Sequence, residues 1–100
     1  MNYFGVRIKQ LREERGLLQK HIASKLDIDT PMLSKIERGE RRAKKEQIFV
    51  LADILKVLPT DLLTLWLADQ VYEIVKDEDV ALKAIQVAEE EVRYHSKKKN

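Results

Sequence analysis

The sequence predicts an all-α protein of six helices. Three observations carry that expectation. Only three Gly and two Pro interrupt 100 residues, which leaves long stretches free to be helical. Apolar residues recur at three- and four-residue spacing, the period of one helix face. Aromatic residues are few, at 6%, and β-branched runs are absent, so strands have little support.

Phe4, Ile8 and Leu11 mark one face of a first helix. Gly16, beyond the charged turn 12–15, reads as the glycine that ends it. A second helix over about 19–26 turns Ile22, Ala23 and Leu26 inward. Asp27, Ile28 and Asp29 form a tight turn, and Asp29 suits the N-cap of a third helix. Pro31 falls in that helix's first turn, where its missing N–H would be unpaired anyway. Leu33 and Ile36 are its buried pair, and Gly39 ends it. A basic connection over 40–45 leads to a fourth helix, about 46–56, striped by Ile48, Leu51, Ala52 and Leu55. Pro59 opens a fifth that reaches about Lys76 through Leu62, Leu63, Trp66, Leu67, Val71, Ile74 and Val75. The acids Asp77, Glu78 and Asp79 suit another helix start. That sixth helix is expected to reach about His95, with Val80, Ala81, Ala84, Ile85, Ala88 and Val92 along one side. Residues 97–100 read as a disordered basic tail.

Composition narrows the function classes. With no Cys, disulfides, thiolate metal sites and Cys nucleophiles are excluded, in keeping with an expected cytoplasmic location. No run of 18 apolar residues exists, and the first ten residues lack the apolar core and cleavage site of a signal peptide. No nucleophile is paired with a base, and neither metal-ligand spacing nor a Gly-rich phosphate loop is present. An enzyme, a metal and a cofactor are therefore not expected, and no small-molecule effector is evident. The net charge of +2 hides an asymmetry. Residues 1–45 hold 12 Lys or Arg against 6 Asp or Glu, whereas residues 46–100 hold 7 against 11. The basic half suits a polyanion; a merely solvated surface is the competing reading.

The informative stretch is 17–39, where two short helices meet across a three-residue turn. That is helix-turn-helix spacing. Ile22, Ala23 and Leu26 must pack on Ile28, Leu33 and Ile36 to hold the helices at a steep angle. Ala23 is small where the backbones approach. The outer face of the second helix of the pair is then free to enter a DNA major groove.

Gln19-Lys20-His21-Ile22-Ala23, followed by Leu33-Ser34-Lys35-Ile36-Glu37-Arg38-Gly39, resembles the Xre family of helix-turn-helix regulators, which includes the phage lambda and 434 repressors and restriction-modification controller proteins. The resemblance covers about residues 6–67 and implies a five-helix, lambda-repressor-like DNA-binding domain over 1–67. A C-terminal extension, 68–96, then remains for dimerisation. By the same resemblance, Thr30, Pro31, Ser34 and Lys35 contact bases. Gln19, Lys20, Arg38, Arg41, Arg42, Lys44 and Lys45 contact phosphates, Gln19 at a helix N-terminus. Arg12 and Glu37 match an internal ion pair of some phage repressors. The chain departs from the family at four places. Asp27 replaces a turn Gly but tolerates left-handed backbone. Leu18 replaces a Ser or Thr cap, and Lys56 replaces a Gly at the end of the fourth helix. Pro31 leaves only van der Waals contact at its position.

The expected function is sequence-specific binding of double-stranded DNA by a homodimer on a palindromic operator, as a transcriptional regulator, more often a repressor. Trp66, Val71, Ile74, Val75, Ile85, Ala88 and Val92 are the expected dimer residues. Two rivals remain. One is an antitoxin-like protein whose C-terminal helices grip a toxin. The other is a protein-interaction adaptor that never touches DNA, against which the basic first half argues. Plainer readings stand beside the sharp ones: Ser34, Lys35 and the 38–45 cluster as solvated surface, Arg12 and Glu37 as a loose surface pair, His21 as a surface residue, and Trp66 and Tyr72 as packing residues. The sixth helix could also fold back on its own domain.

Overall fold

The computed structural model describes residues 1–98, and these contain helices and no strand. Helices α1 (Tyr3–Glu14), α2 (Gln19–Leu26), α3 (Thr30–Glu37), α4 (Lys45–Leu55), α5 (Pro59–Val75) and α6 (Ala81–Lys98) follow one another. The all-α architecture read from the sequence is therefore the one observed. The chain forms two compact units, Met1–Gln70 and a second beginning at Val71.

Local chemistry explains the boundaries in the first unit. Asn2 caps α1, its side-chain oxygen accepting from the Gly5 N–H at 3.1 Å. Asp29 caps α3 by accepting from the Met32 N–H at 2.8 Å. At α4 the Gln47 side chain accepts from the Lys44 N–H at 2.8 Å. Leu18 provides no side-chain cap to α2, as its residue type dictates. Asp27 and Lys56 end α2 and α4 in left-handed backbone, with φ of 59° and 58°. These are two of the positions where this chain lacks the family's glycine.

Ile8, Leu11, Ile22, Leu33, Ile48, Leu51, Leu55 and Leu62 are fully buried and tie the first five helices into one core. Burial of each such side chain contributes roughly 1.5–3 kcal/mol. Gly5 allows α1 to close on the end of α3: a Cβ there would lie 2.5 Å from the Glu37 carbonyl oxygen and 2.6 Å from that of Ile36. Backbone atoms at that distance cannot step aside.

The first unit extends past the expected boundary at 67, and residues 66–70 show why. The Trp66 indole N–H donates to the Ala43 carbonyl at 2.9 Å. Asp69 accepts from the N–H groups of Tyr3 at 3.1 Å and Phe4 at 3.0 Å, which otherwise have no partner at the start of α1. Trp66 also packs against the core. It was expected in the dimer stripe, with packing as the plainer reading, and within this chain it packs on the first unit.

In the second unit α6 begins at Ala81, four residues later than its acidic run suggests. Glu78 N–H bonds Val75 and Ala81 N–H bonds Glu78, so Asp77 to Val80 form turns rather than a first helical turn. The helix continues through Lys98, so Lys97 and Lys98 are helical and not part of a disordered tail. Lys99 and Asn100 lie outside the described residues. Two ion pairs at helical spacing, Glu73 with Lys76 at 3.0 Å and Glu89 with Arg93 at 2.6 Å, support the exposed polar faces. The Lys76 hydrogen bond holds the Glu73 carboxyl below its usual range, and Lys76 is raised in return. No described residue beyond Gln70 is buried.

Candidate nucleic-acid interface

The candidate interface starts from the packing between α2 and α3. Ala23 and Leu33 are buried where the two helices meet, and Asp27, Ile28 and Asp29 form the turn between them. The Ile28 N–H returns to the Ala23 carbonyl at 3.0 Å, which closes α2 tightly. With Leu33 and Ile36 inward, the other side of α3 is left to solvent. Thr30, Pro31 and Lys35 are exposed there and Ser34 is half-buried.

Glu37, at the end of α3, is the hub beneath this surface. It is the one buried acidic side chain among the described residues. Arg12 donates to it twice, Nε to Oε2 at 2.7 Å and Nη2 to Oε1 at 3.1 Å. Gln19 Nε2 donates to Oε1 at 2.9 Å. Arg12 also reaches the Leu17 carbonyl at 3.2 Å, and Asn2 Nδ2 donates to the Glu37 carbonyl at 2.9 Å. The Glu37 hydrogen bond raises the Arg12 pKa above its ordinary value, against the opposing effect of burial. One carboxylate thus ties α1, α2 and α3 together. The side chains are 12% and 3% exposed for Arg12 and Glu37, which removes the loose-surface-pair reading.

The sequence-derived phosphate candidates divide by environment. Gln19 and Arg38 line one cleft of about 410 Å³ together with the base-reading candidate Ser34 and with Lys9, Arg12, Leu18 and Glu37. Arg38 is partly occupied within the chain: it pairs with Glu40 at 2.6 Å and donates to the Ser34 hydroxyl. Gln19 is likewise committed at its amide nitrogen. Arg41, Arg42, Lys44 and Lys45 are exposed, and their side chains make no ion pair among the described residues. Lys20 and Lys35 are exposed and unpaired in the same sense. Lys9 was missed by sequence reasoning; nothing in its spacing distinguishes it from any solvent-facing lysine of α1. Asn2, which caps α1 and also bonds the Glu37 carbonyl of α3, was missed as well.

Of the remaining expected dimer residues, Val71, Ile74, Ile85 and Val92 are exposed apolar side chains. Val75 is half-buried and Ala88 exposed.

Two short helices set across a three-residue turn, inside a five-helix core and with the outer side of the second helix free, define a helix-turn-helix protein. The helix-turn-helix family matches residues 8–63, more than half of the chain, and the chain belongs to that family. It is of the Xre-like type that its motifs resemble. A curated relative, the HTH-type transcriptional regulator DdrOP3 of Deinococcus deserti, is 40% identical over 57 residues. The match spans 57% of this chain and 44% of that protein. No solved structure matches the chain. Among the described residues, no His, Asp or Glu cluster could hold a metal ion, and no helix is long and apolar enough to cross a membrane.

Proposed function

We propose that this chain binds double-stranded DNA sequence-specifically and regulates transcription, as a repressor that acts as a homodimer on a palindromic operator. The observation that carries the reading is the cleft lined from α1, the start of α2 and the end of α3, which brings Lys9, Gln19, Ser34 and Arg38 together beside the open side of α3. Thr30 and Lys35 read base edges, Lys35 by donating to guanine O6 or N7. Pro31 and Ser34 provide close contact at the groove. Gln19, Lys20, Arg38, Arg41, Arg42, Lys44 and Lys45 hold phosphates, and Arg41, Arg42, Lys44 and Lys45 are free to do so because no acid pairs with them among the described residues. The relative's name, a transcriptional regulator, supports the same reading. A two-fold dimer would present two recognition helices one DNA turn apart.

Selection of bound duplexes from random DNA tests the proposal. A palindromic consensus with half-sites about 10 base pairs apart is the expected outcome. Recovery of no consensus would sink sequence-specific binding, and a single unpaired half-site would sink the dimer.

A further inference from the structure

The basic loop between α3 and α4 carries three free cations of the proposed interface, Arg41, Arg42 and Lys44, and it has little internal structure. Glu40 still bonds back into α3 through the Lys35 carbonyl, and Lys44 is held by Gln47. Between them, residues 41–43 make one hydrogen bond among the described residues: the Ala43 carbonyl accepts from the Trp66 indole N–H at 2.9 Å. Ala43 is also the loop's buried residue, at 2% exposure, while Arg41, Arg42 and Lys44 around it are exposed. The Trp66 ring packs against the core. Trp66 lies three residues beyond the end of the family match at 63 and is the chain's single tryptophan.

We infer that Trp66 is a positioning residue for the phosphate-contacting loop, a role that rests on the DNA-binding reading. It touches no nucleic acid itself. Its ring is fixed by the core, and its N–H fixes the Ala43 carbonyl. The buried Ala43 methyl then acts as the loop's second anchor. Arg41, Arg42 and Lys44 project from a backbone whose course is already set. Without the bond, the loop must be ordered when DNA binds, and that entropy is subtracted from affinity. Preorganised phosphate contacts should therefore depend on a residue remote from the DNA.

The test measures affinity for duplex DNA at several salt concentrations. Trp66→Phe keeps an aromatic ring and removes the donor. It should weaken binding about threefold to tenfold, the ratio that one hydrogen bond commands. The slope of log affinity against log salt should become shallower by about 1, as for one lost phosphate contact. Ala43→Gly, which loosens the loop from its own side, should lower the slope in the same direction and decides the matter if Trp66→Phe folds poorly. Asp69→Ala is the control: it removes the acceptor of the Tyr3 and Phe4 N–H groups, should lower the melting temperature and should leave the slope unchanged. An unaltered slope in a folded Trp66→Phe, or an equal loss of slope in Asp69→Ala, overturns the inference. A wild-type chain that does not bind DNA removes the DNA reading itself and this inference with it, whereas binding with unaltered slopes removes the inference alone.

Discussion

Arg12 and Glu37 form a two-pronged ion pair at 2.7 and 3.1 Å that joins the last turn of α1 to the end of α3. The two removals are not equivalent. Arg12→Ala strands a carboxylate that is 3% exposed, with the Gln19 amide as its remaining side-chain donor. Glu37→Gln leaves an arginine closer to water and keeps an acceptor for it. Arg12→Ala should therefore cost about 2–4 kcal/mol, and Glu37→Gln distinctly less. Urea denaturation of the two variants checks the order. Losses under about 1 kcal/mol for both would place the pair with ordinary surface bridges.

Base reading is assigned to the open side of α3, where Thr30 and Lys35 are exposed. Lys35→Ala and Thr30→Ala should each cost about 1–3 kcal/mol at the preferred site and alter the preference itself. Repeating the random-duplex selection with each variant is the measurement. Unchanged consensus and affinity in both would mean that α3 does not read bases through these side chains.

The loop cations should act differently. Arg41 and Arg42 pair with no acid among the described residues and face solvent, and the phosphate contacts proposed for them would carry no sequence information. Arg41→Ala and Arg42→Ala should weaken every duplex about equally, and each should reduce the salt slope by about 1. A loss confined to one DNA sequence would contradict this division of labour between helix and loop.

Two close approaches make sharp stability tests. Ala23 is 2% exposed at the junction of α2 and α3, so Ala23→Leu should overfill it at a cost of about 1–3 kcal/mol. Gly5→Ala would set a methyl 2.5 Å from the Glu37 carbonyl oxygen and should be at least as damaging. Thermal melts report both. An unshifted melting temperature for either would mean that the helices do not meet as described.

The helices and their ends were legible because their causes are local. Asp29 as a cap, Pro31 in a first turn, Gly16 and Gly39 at positive φ and the 3–4 apolar spacing all act within a few residues. The Arg12–Glu37 pair spans 25 residues and was reached only through the family resemblance. Asp69 on the α1 N-terminus, 65 and 66 residues away, and Trp66 on Ala43, 23 away, had no sequence signal at all. An Asp in a helix and a Trp in an apolar stripe look the same whether they serve their own helix or a distant one. That ambiguity left Trp66 with two readings, a dimer residue and a packing residue, and it packs against the core of the first unit. At α6 the acids resembled a helix start, but two i to i−3 turns intervene and delay it to Ala81.

The remaining stripe carries the proposed dimer. Val71, Ile74, Ile85 and Val92 are 45%, 77%, 37% and 65% exposed, although a helical chain gains nothing by placing apolar side chains in water at regular spacing. Ala81, Ile85, Ala88 and Val92 recur at alternating four- and three-residue steps, the seam of paired helices. The small Ala residues would let two helix backbones approach, and burial of the larger ones would contribute about 25 cal/mol per Å². Ile85→Lys combined with Val92→Lys puts charges on that seam while retaining helix-forming residues. In the full chain this double substitution should convert a dimer into a monomer at micromolar concentration and reduce affinity for a palindromic duplex more than for an isolated half-site. The far-UV circular dichroism and the melting of the first unit should persist. Light scattering and sedimentation decide. A wild-type monomer, or a double variant that dimerises as well as the wild type, would show that two copies of this chain do not meet through α6.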